Sequence, residues 1–150
     1  MRINKSGNFI VRGQTTELQG PEKIQLFDGT YKSGFRIVDF QISSKGIFTS
    51  EEVQGKITTD LVDADIPQFN WQDTREVAWA CTDMVAGGTR QPVQSVIDTS
   101  MILVEDLFVY VHNNLSTGSE VNFLIELEPV NLKEYEYAMS FIQNRSQGVG

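Results

Sequence analysis

The sequence predicts an all-β protein: an antiparallel β-sandwich or jelly roll of about seven or eight strands, with one C-terminal amphipathic helix. Three observations carry that reading. Val121, Phe123, Ile125 and Leu127 alternate with Glu120, Asn122, Glu126 and Glu128, the period of two expected of a strand wet on one side. Met101 to Val111 is apolar on both parities, as in a strand covered on both faces. Short runs rich in β-branched and aromatic residues recur between turn signals, without the strand–helix alternation of a parallel α/β fold.

Taken in order, residues 1–20 form an N-terminal arm or edge strand with one apolar patch, Phe9-Ile10-Val11. The sandwich domain then spans 21–131. Lys23 to Phe27 alternates, Asp28-Gly29 is a hairpin-type turn signal, and Phe35 to Ile42 is strongly strand-like. Val53 to Leu61 alternates and is β-branched, whereas 62–74 has no period. Glu76 to Val85 is a further strand, and Gly87 to Pro92 a flexible connection. Val93 to Val111 reads as two strands broken near Asp98-Thr99-Ser100. Met101–Val111 and Val121–Leu127, joined by Asn113 to Ser119, read as a hairpin. Asn131-Leu132-Lys133-Glu134 resembles a helix cap, with Leu132, Tyr135, Met139 and Ile142 following at helical spacing. Residues 132–150 are therefore expected to be a helix, ending near Asn144, and a Gly-containing tail.

The 150 residues suffice for one domain with a substantial core. No run approaches the roughly 18 to 20 apolar residues of a membrane helix. The start, MRINKSGNFIVRG, has no apolar signal-peptide core, which predicts synthesis in a cytoplasm. Charge is uneven. Residues 1–50 carry +3 and residues 51–150 carry −11, giving the net −8. An acidic body disfavours nucleic acid. A basic N-terminal segment beside such a body is suited to pairing with another copy of the chain. Interface candidates are Arg2, Lys5, Phe9, Ile10, Val11, Arg12, Tyr135, Met139 and Ile142.

The chemistry-bearing residues point away from an enzyme. Cys81 stands alone in the sequence, so it is expected as a buried thiol. His112 is the single histidine; it cannot build a multi-histidine metal centre and is expected to be structural or solvent-facing. Asp60, Asp63 and Asp65, with Asp73 beyond, are weak calcium candidates, because they lack the spacing of an EF-hand loop. Glu126 and Glu128 share one strand face, as on any wet face, rather than forming a glycosidase pair. Asp106 has apolar neighbours, so a bulge or a pairing with Arg36 or Arg75 is expected. Phe69, Trp71 and Asp73 in the 62–74 loop offer a sugar-stacking or receptor-binding alternative, while core filling is the commoner use of Trp. No cofactor is implied.

The basic arm, the Asp-Leu-Phe-Val-Tyr-Val strand at 106–111, the Val-Asn-Phe-Leu-Ile-Glu-Leu-Glu strand at 121–128 and the C-terminal helix together resemble the small single-jelly-roll virion proteins of marine bacterial viruses. The resemblance covers most of the chain and rests on overall pattern, so no family site transfers to a residue here. It implies a capsid, cement or decoration subunit located in the virion. Its partners would be copies of itself and other virion proteins.

Overall fold

A computed structural model describes residues 2–26, 33–46, 51–62, 68–82 and 94–132. Within them the chain forms nine strands: β1 (Arg2–Ile3), β2 (Phe9–Thr15), β3 (Glu22–Ile24), β4 (Ser33–Ser44), β5 (Val53–Thr58), β6 (Glu76–Thr82), β7 (Gln94–Ile97), β8 (Leu107–Asn113) and β9 (Val121–Asn131). They make two antiparallel sheets, ordered β1-β2-β9-β4 and β3-β8-β5-β6-β7. The expected β-sandwich is therefore present. The C-terminal helix, with Tyr135, Met139 and Ile142, lies outside the described residues, as does the Asp28-Gly29 turn.

The core lies between the sheets. Ile37, Phe40, Ile57, Leu107, Val109, Ile125 and Leu127 are almost fully buried there. Burying each such side chain contributes about 1.5–3 kcal/mol. The β9 alternation reads out as expected: Phe123, Ile125 and Leu127 face inward, while Asn122, Glu126 and Glu128 face outward. Gly13 on β2 makes room for the ring of Phe123, which would lie 2.5 Å from any Cβ added at that position.

The structure corrects the expected hairpin. β8 and β9 belong to different sheets. β9 is already flanked by β2 and β4, and β8 by β3 and β5. The turn after Asn113 therefore carries the chain across the sandwich. The long strand Met101–Val111 is also shorter than expected, with β8 starting at Leu107. Ahead of it, Leu103 exchanges both backbone hydrogen bonds with Phe35 on β4, at 2.7 and 2.8 Å. The chain thus leaves one sheet after β7, touches the edge of the other at Leu103, and returns as β8. Met101, Leu103 and Val104 are buried during that crossing.

Nor is the N-terminal segment a free arm. β2 pairs with β9 along its length, from Phe9 opposite Leu127 to Thr15 opposite Val121. Phe9 and Val11 pack on the protein's own core, and Phe9 meets Phe35 edge to face. These two interface candidates are consumed internally, because alternation turns them inward while Ile10 and Arg12 turn out.

Candidate functional site

Two surfaces carry the functional candidates. The first is the β1–β2 side of the first sheet. Arg2 stands opposite Ile10, and Arg12 stands opposite Leu124 of β9. Lys5 sits in the exposed turn between β1 and β2. That turn is tied down by Asn4, whose Oδ1 accepts the backbone N–H groups of Ser6 and Asn8. Asn4 Nδ2 donates to Glu126 at 2.8 Å. A groove of about 630 Å³ crosses this face, lined by residues that include Arg12, Gln41, Ser43, Asn122 and Leu124.

Charge pairing separates this surface from the rest. Lys23, Arg36, Lys45, Lys56 and Arg75 each sit in an ion pair, with Asp106, Glu128, Glu120, Glu76 and Asp73 respectively. Among the described residues, Arg2, Lys5 and Arg12 are the Lys and Arg residues in no such pair. Asp106 thus pairs with Lys23, and accepts Leu26 N–H at 3.0 Å. The partners expected for it, Arg36 and Arg75, are engaged elsewhere.

The second surface is the outer face of the other sheet, where the β5–β6 connection lies. Register places Tyr110 of β8, Lys56 of β5 and Trp79 of β6 side by side on that face. A bulge follows. Lys56 pairs with Trp79 and Ile57 with Ala78, but Thr58 pairs with Glu76, leaving Val77 as the extra residue. Val77 and Ala78 both enter the core. Glu76 is thereby returned to the outer face beside Trp79, a re-aiming typical of bulges near functional positions.

Glu76 accepts three hydrogen bonds. Its Oε2 takes Lys56 Nζ at 3.1 Å, and its Oε1 takes Trp79 Nε1 at 2.8 Å and Asn70 N–H at 3.0 Å. Lys56 also donates to the Gln68 carbonyl, and its ammonium lies 5.8 Å from the Tyr110 ring centroid. Both charged side chains are nearly sealed from water, at 5% and 2% exposure. Tyr110 Oη accepts Val62 N–H at 2.9 Å, so the start of the connection is pinned as well.

Two successive turns shape the stretch above. Asp73 N–H bonds the Asn70 carbonyl, and Glu76 N–H bonds the Asp73 carbonyl. Asp73 also binds Arg75 through both carboxylate oxygens. Those hydrogen bonds from the guanidinium hold the Asp73 carboxyl below the usual carboxylate range, against the opposing effect of burial. At the crest Trp71 is 62% exposed. It lies against Trp79, with centroids 5.2 Å apart and rings tilted by 32°.

Of the loop candidates, then, Trp71 is presented to solvent, Phe69 is half-buried, and Asp73 is committed to Arg75. Asp60 is exposed and its carboxylate accepts the next backbone N–H; Asp63 and Asp65 lie outside the described residues. Among those described, no three His, Cys, Asp or Glu side chains gather in metal-binding proximity. His112 Nδ1 meets Glu17 at 2.8 Å. Cys81 is half-buried on the outer side of β6 rather than in the core. Lys56, Glu76 and Tyr110 carry no sequence signal of this role, because a bulge and a covering loop leave no period. Comparison with protein-family models, with curated proteins and with solved structures finds no match to this chain.

Proposed function

We propose that the chain is a structural subunit of a virion, acting through contacts with other copies of itself. The observation that carries the reading is the trio Arg2, Lys5 and Arg12, which sit in no ion pair among the described residues of a chain of net charge −8. On the outer part of one sheet they complement the acidic remainder of a second copy, and electrostatic complementarity selects partner and register. The strand order supports the same reading. The orders β1-β2-β9-β4, continued by the Leu103 bridge, and β3-β8-β5-β6-β7 are compatible with a jelly roll, an architecture used by capsid and lectin domains. Because fold alone does not assign function, the weight rests on the surface.

The test is the triple variant Arg2→Gln, Lys5→Gln, Arg12→Gln, followed by light scattering and thermal melting. The native chain is expected to form a multi-subunit particle that loosens as salt screens its charges, over a Debye length of about 10 Å at 0.1 M. The variant is expected to stay monomeric with an unchanged melting temperature. A native chain that is monomeric at high concentration and low salt would sink the proposal.

A further inference from the structure

We infer that Trp71 is a preorganised stacking platform for the ring of a neutral saccharide. The site is on the sheet opposite the N-terminal cations, so the inference does not depend on the assembly reading. One face of the indole rests on Trp79, and the residue remains 62% exposed. Its neighbours Gln68, Asn70 and Gln72 are exposed amides. Gln68 and Gln72 each carry donors and an acceptor, and Asn70 offers its donors while its Oδ1 accepts Gln72 N–H; together these match the hydroxyl pairs around a sugar ring.

The support beneath the platform strengthens the argument. A buried ion pair is a poor device for stability, since apolar replacements are often equal or better. Here Lys56 and Glu76 fix three parts of the platform at once: the Gln68 carbonyl, the Asn70 N–H and the Trp79 indole. Holding a loop in its binding shape beforehand lowers the ordering cost of a ligand. Charge selects the ligand class. The ionic groups that hold the loop, Lys56 with Glu76 and Arg75 with Asp73, are engaged with one another. Among the described residues around Trp71 that leaves stacking and amide hydrogen bonds, which suit a neutral glycan rather than a phosphorylated, sulfated or carboxylated one.

The experiment screens the intact chain on an array of neutral, sulfated and sialylated oligosaccharides, then titrates the best neutral oligosaccharide. Binding to a neutral glycan is expected, with acrylamide quenching of the exposed indole suppressed by ligand. Trp71→Ala should weaken binding by at least about tenfold, and Trp71→Phe by less. Because Trp71 is exposed, both variants should melt close to the native temperature; the quenching readout on the native chain stands even if Trp71→Ala misfolds. Retention of acidic glycans only, of protein ligands only, or of none would overturn the inference. So would binding that Trp71→Ala and Trp71→Phe leave intact.

Discussion

The two sheets have outer faces of opposite character. On the first, β9 presents Asn122, Glu126 and Glu128 to water, and its ion pairs are open. Arg36 and Glu128 are 3.7 Å apart with side chains 35% and 46% exposed. On the second, the equivalent outward positions Lys56, Trp79 and Tyr110 are buried beneath the β5–β6 connection. Asn122, Glu126 and Glu128 mark an outward position that water reaches. Where the chain covers such a position instead, as at Lys56, Trp79 and Tyr110, the residue is aromatic or internally paired.

Removing one acid from each face tests this most sharply. Glu76→Ala strands Lys56 in a dry site and is expected to cost about 3–5 kcal/mol. Glu128→Ala, on the open face, is expected to cost less than about 1 kcal/mol. Urea unfolding of both variants measures the contrast, and equal losses would erase it.

A smaller effect is expected at Tyr110. Tyr110→Phe keeps the ring but removes the hydroxyl that accepts Val62 N–H, at a cost of about 1–2 kcal/mol. Faster amide exchange at Val62, with the core amides of Val109 and Val111 unchanged, would place that loss in the cover rather than in the sheet.

The smallest effect is pH-dependent. The folded state lowers the Asp73 pKa below its ordinary 3.8. The contribution is therefore present above that value and is lost as pH falls through the folded pKa. Native protein should exceed Asp73→Asn by up to about 1 kcal/mol near neutrality. The difference should shrink at about pH 2.5. A constant difference across that range would refute the assignment.

How much was legible follows from the same contrast. Phe123, Ile125 and Leu127 announced their inward face because their neighbours meet water. The apolar double face of Met101–Val111 signalled cover correctly but misled on shape. Its first half is a crossing between sheets and only its second half is a strand, and burial gives both the same composition. Trp71 was visible as a loop aromatic. Glu76 was not visible as its support, because one bulge at Val77 moves it to the other face without changing composition. Phe9 and Val11 read as an arm or edge strand, because local sequence cannot report a partner as distant as Leu127 or Ile125.

That distance has a consequence for the order of events during synthesis. β9 is the strip between β2 and β4, so the first sheet cannot close before residues 121–131 leave the ribosome. Until then Phe9 and Val11 have no strand to zip against, and their apolar surface stays open. Non-local pairing of this kind folds late and slowly. The face bearing Arg2 and Arg12 thus takes shape only in a chain translated through β9, and an interrupted product lacks that surface.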